Sequence, residues 1–308
     1  MAEHRPPVEW TGRSDPEDGP QALRMHHLEG KEGAAVALLG FACDEGVRRN
    51  KGRPGAAEAP AALRKAMAGL AAPPAWGGFT DLGDIAVPGQ GLDQGQERMA
   101  AEIYSALATH GRAVVLGGGH ETAFASWQGL RRARPGRIGI VNIDAHLDIR
   151  KTGAEGPSSG TPFAQIRDED PDGFDYLVLG VAAEANTAAL TERAQGWGVT
   201  MIADSALQLG PEAAERAIAD LASRVDHIYL TLDLDVLPQA TMPAVSAPAG
   251  RGVPFAVVER LIDAVFAAAP DIAVADMVEF NPSLDPAGLA ARSAALLGRR
   301  LLLGPEAV

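Results

Sequence analysis

Seven short, almost unbroken apolar runs constrain this chain more than any other feature. They are Ala35–Phe41, Ala113–Leu116, Ile138–Ile143, Tyr176–Val181, Val199–Ile202, His227–Leu232 and Ile272–Val278. A strand with one face in water alternates apolar and polar residues, whereas a strand covered on both faces does not. The runs therefore read as parallel strands buried between two layers of helix. Helical periodicity fills several of the gaps. Pro60 opens a stretch in which Leu63, Met67 and Leu70 recur at spacings of four and three. Glu97–His110, Glu121–Arg134, Pro211–Ser223, Pro254–Ala268 and Pro286–Leu303 follow similar patterns. The expected fold is a three-layer α/β/α sandwich with an open, mostly parallel central sheet.

No linker or charge run divides the middle of the 308 residues, which predicts one large domain over 34–308. Residues 1–33 are polar, hold Pro6, Pro7, Pro16 and Pro20, and show no periodicity. They are expected to form an N-terminal arm, extended or partly mobile. An apolar content of 46% is enough for a sizeable core. The formal charge of −13 argues against nucleic acid or an anionic membrane as partner. A single cysteine, Cys43, excludes an internal disulfide framework and fits a reducing cytoplasm. No apolar run reaches the length of a membrane span.

Three of the strand runs end in residues that bind metals. Asp144-Ala145-His146-Leu147-Asp148 follows Ile138–Ile143, and Asp233-Leu234-Asp235 follows Ile228–Leu232. Alternate residues of an extended segment point the same way, so Asp144, His146 and Asp148 can share one face, as can Asp233 and Asp235. Carboxylates gathered at buried strand ends repel one another unless a cation lies among them. Leu116-Gly117-Gly118-Gly119-His120-Glu121 adds a third strand end. Its glycines permit a tight turn and close backbone approach, and no P-loop Lys-Ser/Thr follows. His120 is a suitable ligand for a divalent transition metal. These six residues exceed the needs of one catalytic ion and suit two that share carboxylates. The oxygen-rich set favours Mn²⁺ over Zn²⁺.

With Val278-Glu279-Phe280-Asn281-Pro282, these motifs resemble, in order over roughly residues 35–300, the signature of the ureohydrolases. That family includes arginase, agmatinase and formimidoylglutamase. The resemblance implies an arginase-like fold, two Mn²⁺ ions per subunit with a bridging hydroxide, and a homo-oligomer, a trimer or hexamer. It places His120, Asp144, Asp148 and Asp233 around one ion. Asp144, His146, Asp233 and Asp235 surround the other, with Asp144 and Asp233 shared. The hydroxide would attack an amidine or guanidine carbon. Asp148 is the candidate proton shuttle, and Glu279 the acceptor for the cationic amidinium.

The substrate is read from departures within the family. Arginases and agmatinases carry a His-Gly-Gln-Pro or His-Gly-Thr-Pro loop, whereas here Ser159 of Pro157-Ser158-Ser159-Gly160-Thr161-Pro162 stands in the histidine position. The serine version resembles formimidoylglutamases, as does the segment Phe41–Asn50. Arg150, with Arg48 or Arg49, is a candidate for binding the two carboxylates of a formimino-glutamate, since arginine forks bind carboxylates bidentately. The expected reaction is Mn²⁺-dependent hydrolysis of N-formimino-L-glutamate to L-glutamate and formamide, as in histidine degradation. The rival readings are another ureohydrolase that releases urea from a guanidino substrate, and a non-catalytic metal-binding protein of the same fold.

Overall fold

The computed structural model describes residues 2–269 and 271–304. Met1, Pro270 and residues 305–308, parts of the expected arm and domain, lie outside the described residues. The strands are β1 (Glu3–Arg5), β2 (Val36–Ala42), β3 (Phe79–Ala86), β4 (Arg112–Leu116), β5 (Ile138–Ile143), β6 (Asp175–Val181), β7 (Thr200–Ala203), β8 (His227–Asp233) and β9 (Val274–Val278). The helices are α1 (Glu45–Arg49), α2 (Ala59–Ala68), α3 (Leu92–Thr109), α4 (Thr122–Ala133), α5 (Pro162–Glu169), α6 (Ala188–Gly196), α7 (Asp204–Leu207), α8 (Glu212–Ala222), α9 (Phe255–Ala268) and α10 (Leu289–Leu303).

All the strands join one sheet in the order β1-β3-β2-β4-β9-β8-β5-β6-β7, parallel except where β1 pairs antiparallel with β3. All seven expected strands are present, with ends shifted by at most two residues. Their unbroken apolar character has the anticipated cause, because side chains leave each strand alternately toward two cores. On β4, Val114 and Leu116 face a core shared with Leu63, Ile218, Leu261 and Leu297 of α2, α8, α9 and α10. Ala113 and Val115 face the other, built with Met99, Ile103 and Leu130 of α3 and α4. Helices therefore cover both faces, as expected of the three-layer architecture. No helix among the described residues is long and apolar enough to cross a membrane.

Two strands are additions to the expected set. In β3 the apolar pattern is interrupted by Asp81 and Asp84, charges that argue against a buried strand. The fold accommodates them with Arg64 of α2, itself 1% exposed, which donates to Asp81 at 2.7 and 2.9 Å and to Asp84 at 2.6 Å. Removing one partner of such a buried set leaves an uncompensated charge and costs on the order of 3–5 kcal/mol. Trp10 also donates to Asp81, at 2.7 Å, and so ties the N-terminal segment to the same carboxylate. β1 pairs Glu3 with Ala86 and Arg5 with Asp84 along the edge of β3.

Candidate metal centre and active site

Four adjacent strands, β4, β9, β8 and β5, deliver the site from their carboxyl ends, the usual ligand-binding edge of an open α/β sheet. His120 follows β4, Glu279 follows β9, Asp233 and Asp235 end β8, and Asp144, His146 and Asp148 follow β5. The turn after β4 passes so close to the end of β2 that a Cβ on Gly118 would collide with the Cys43 carbonyl. Glycine is therefore required there. The Gly118 carbonyl accepts from the Glu279 backbone N–H at 2.8 Å, which joins the two strand ends.

The expected ligand atoms converge. His120 Nδ1 lies 3.1 Å from Asp148 Oδ2, 3.1 Å from Asp233 Oδ2 and 3.3 Å from Asp144 Oδ2. His146 Nδ1 lies 3.0 Å from Asp235 Oδ2 and 3.7 Å from Asp144 Oδ1. Two groups that could hold a cation result, one of His120, Asp144, Asp148 and Asp233 and one of Asp144, His146 and Asp235. Asp144 belongs to both. Asp233 is in the first group, and its Oδ1 accepts the Asp235 backbone N–H at 2.8 Å. Glu279 is 5% exposed, and its Oε1 accepts the His120 backbone N–H at 3.0 Å.

Two backbone torsions stand out. Asp148 has φ +45° and Glu279 φ +69°. Left-handed backbone is costly for residues with a Cβ and persists where surrounding structure enforces it, commonly at active sites. Both expected catalytic residues share this conformation.

The electrostatics test whether this donor set fits a metal. Burial disfavours a charged His120, but the adjoining carboxylates of Asp144, Asp148 and Asp233 outweigh it and raise its pKa well above the ordinary value. Asp235 is the main cause of a similar rise at His146. Burial lifts Asp233 well above the carboxylate range, with the Asp235 and Asp144 charges adding to it. Burial, first of several causes, pushes Asp235 up to about 6. It also lifts Glu279 strongly, with Asp233 and Glu121 contributing. At Asp144 burial acts in the same direction but is overcome by the adjoining imidazoles of His120 and His146, which hold the carboxyl below its usual value. Asp233, Asp235 and Glu279 thus hold protons tightly, which limits their mutual repulsion, and divalent cations would relieve the same repulsion. Buried His120 Nδ1 and Asp235 Oδ1 make no hydrogen bond. The site fits metal ions.

A pH dependence follows. A folded-state pKa above the unfolded value, for an acid or a histidine, gives stability present at low pH and lost as pH rises through the folded pKa. Asp233, Asp235, Glu279, His120 and His146 all have this sign; Asp144 has the opposite one, and its contribution is complete above the ordinary carboxylate range. Glu121, pushed up to about 7 by burial, joins the first set. Thermal melts of metal-stripped protein are therefore expected at progressively lower temperature as pH rises through 6 and 7. A melting temperature that is flat or rising across that window would contradict this electrostatic description.

The site opens into a cavity of about 730 Å³ whose floor includes His146, Asp148, Asp233, Asp235 and Glu279. Arg150 and Ser159 line it. The Arg150 side chain is exposed and makes no hydrogen bond among the described residues, and its backbone N–H donates to Gly160 at 2.8 Å. Ser159 is buried, and its Oγ accepts from Asn50 Nδ2 at 3.3 Å.

The remaining arginines depart from expectation. Arg48 does not line the cavity; Glu45 holds its guanidinium at 2.7 and 2.8 Å and Glu155 at 2.9 Å. Arg49 lines the cavity, but its donors go to Glu45 at 2.9 Å and to the carbonyls of Pro157 at 3.1 Å and Gln90 at 3.3 Å. Both guanidinium groups are thus held by the protein, with Glu45 as their shared carboxylate partner. Lys151 and Asn50 do line the cavity, and both were within sight as immediate neighbours of Arg150 and Arg49. Neither a lysine nor an asparagine carried a spacing signal that singled it out.

Comparison with known proteins identifies the lineage. A model of the arginase family matches residues 34–304. The chain belongs to the arginase family. Within that family it is similar to a formimidoylglutamase from Citrobacter koseri, 46% identical over 97% of each chain. One from Aeromonas hydrophila subsp. hydrophila is 47% identical, over 95% of this chain and 96% of the relative. Among solved structures, Trypanosoma cruzi formiminoglutamase with Mn²⁺ superposes with a TM-score of 0.81 at 26% identity, covering 92% of this chain and 98% of the other. An arginase from Bacillus subtilis shares the fold, with a TM-score of 0.75 at 22% identity over 89% of this chain and all of the other. The three-layer fold expected from the apolar runs, in the arginase-like form implied by the motif resemblance, is thus the fold observed.

Proposed function

We propose that this arginase-family protein hydrolyses N-formimino-L-glutamate to L-glutamate and formamide in the cytoplasm, with two Mn²⁺ ions per subunit. The observation that carries the reading is one cavity joining a metal-ligand floor to an unpaired arginine at its wall. The names of near full-length relatives and the Mn²⁺ of the Trypanosoma cruzi structure support it.

His120, Asp144, Asp148 and Asp233 would hold one ion, and Asp144, His146 and Asp235 the other. Bound there, the ions supply water activation, lowering the pKa of a water so that hydroxide is available near neutral pH. Glu279, buried beside His120, accepts hydrogen bonds from the amidinium N–H groups and orients its carbon toward the floor. Asp148 takes the proton of the attacking water and returns it to the leaving nitrogen, which departs as the amine of glutamate. Arg150 pairs with substrate carboxylate, with Lys151 adding positive charge beside it. Ser159 offers a hydroxyl to the bound substrate from a loop held under Arg150.

The deciding assay measures formamide from formimino-glutamate and urea from arginine, agmatine and guanidinobutyrate, using Mn²⁺-loaded protein. Formamide without urea is expected, and urea without formamide overturns the assignment. Arg150→Ala is expected to raise KM about tenfold or more while kcat stays within about threefold, since a charge-assisted hydrogen bond is worth about 1.5–3 kcal/mol. Unchanged steady-state kinetics would remove Arg150 from the site.

A further inference from the structure

Beneath His120, on the side away from the cavity, lies a buried polar pair with no part in the chemistry above. Thr231 and Asp276 face each other across β8 and β9, and both are fully buried. Thr231 Oγ1 is 3.1 Å from His120 Nε2. Asp276 Oδ2 accepts the Tyr229 hydroxyl at 2.5 Å, while buried Asp276 Oδ1 makes no hydrogen bond. Asp276 belongs to neither group of candidate metal ligands. A buried carboxylate between two core layers needs a reason to be there.

Proton bookkeeping supplies one. Neutral imidazole carries a single proton, on either nitrogen. Nδ1 of His120 faces the oxygens of Asp144, Asp148 and Asp233, so binding a cation there requires a lone pair on Nδ1. The proton then sits on Nε2, and Thr231 Oγ1 must accept it. A hydroxyl that accepts at its oxygen has one hydrogen left to give, and an ionised carboxylate can only accept. Asp276 is the register partner of Thr231 on the neighbouring strand, so the two side chains leave the same face of the sheet side by side. Burial raises the pKa of Asp276, and the Thr231 hydroxyl is one of three, with Ser126 and Tyr229, that oppose the rise.

We propose that Asp276, acting through Thr231, is a positioning residue that locks His120 in the tautomer whose Nδ1 lone pair faces the metal cluster. This inference rests on the metal-binding part of the reading given under Proposed function. The sequence of donors runs from His120 Nε2–H to Thr231 Oγ1, and from the Thr231 hydroxyl to Asp276. Outer partners of this kind set ligand orientation and basicity.

The test is Mn²⁺ titration of the metal-stripped protein, followed by electron paramagnetic resonance of the free ion. Thr231→Val keeps the shape and removes the hydroxyl, and is expected to weaken one of the two Mn²⁺ sites by about 10–100-fold while sparing the other. Thr231→Ser, which restores the hydroxyl, is expected to bind as the parent does. Asp276→Asn can donate toward Thr231, so the direction of the relay is no longer imposed and a loss like that of Thr231→Val is expected. The double variant Thr231→Val with Asp276→Asn is expected to lose no more than the weaker-binding single variant, because the two act as one unit. Melting of each metal-free variant within a few degrees of the parent shows that the fold is kept; if Thr231→Val does not fold, Asp276→Asn makes the same comparison. Parent-like binding at both sites in Thr231→Val or Asp276→Asn, an equal loss in Thr231→Ser, or additive losses would each overturn the proposal. A parent that binds two Mn²⁺ yet releases no formamide would refute the hydrolytic reading and leave this one standing.

Discussion

Asp148→Asn is expected to lower kcat by about 10²–10⁴-fold, the range for losing a positioned acid–base group, with the far-ultraviolet circular dichroism unchanged. The carboxylate stands 3.1 Å from His120 Nδ1 and lines the cavity floor, so it can touch both metal and substrate. Asparagine keeps the shape but can neither take up nor release the proton. A second substitution separates function from folding. The residue sits at φ +45°, where a side chain costs about 1–2 kcal/mol and glycine costs little. Asp148→Gly removes this strain and one of the converging carboxylates together. The metal-free glycine variant is therefore expected to melt at or above the parent temperature while being as inactive as Asp148→Asn. More than a tenth of parental kcat in Asp148→Asn would remove the proton-shuttle role. A glycine variant melting several degrees below the parent would show that the torsion is not a source of strain.

Mn²⁺ is expected to raise the melting temperature strongly, in a saturable way and with a stoichiometry of two. Asp144, Asp148, Asp233 and Asp235 meet at the carboxyl ends of two neighbouring strands, with His120 and His146 the basic groups set among them. A ligand at 100 times its Kd that binds only the folded state adds about 2.7 kcal/mol, so two sites add about 5 kcal/mol. For a chain of this size that is a shift on the order of 10 °C. Excess chelator is expected to reverse it. Saturation at one equivalent would contradict a binuclear centre, and no shift with Mn²⁺ would contradict a metal centre of any kind.

Much of this architecture was legible before any coordinates. Strands covered on both faces leave unbroken apolar runs, and β2 and β4 to β9 were all visible for that reason. β3 was not, because Asp81 and Asp84 break the pattern and the compensating Arg64 lies on the preceding helix, with no spacing signal that ties it to them. Short α1 and α7 carry too few turns for a periodicity to emerge. At the site, ligand identities followed from alternation along single strands. The lateral order β4-β9-β8-β5 did not, since parallel crossovers leave no trace in the sequence of which strands will be neighbours. Arg48 and Arg49 show the limit of reading charge from sequence, because Glu45 occupies both guanidinium groups once α1 forms. Thr231 and Asp276 were invisible as a pair for the same reason as the strand order, being brought together only by register between β8 and β9.

The two outermost strands of the sheet are its shortest: β1 has three residues, all exposed, Glu3, His4 and Arg5, and β7 has four. Short borders are poor templates for a further strand, and at β1 the exposed charges add to that. An incoming chain would find few backbone groups to pair with and a desolvation cost for each charge it covered. The sheet thus ends at both margins in a form resistant to growth from molecule to molecule. Copies of this protein that came together would then meet through helices and loops rather than by extending the sheet.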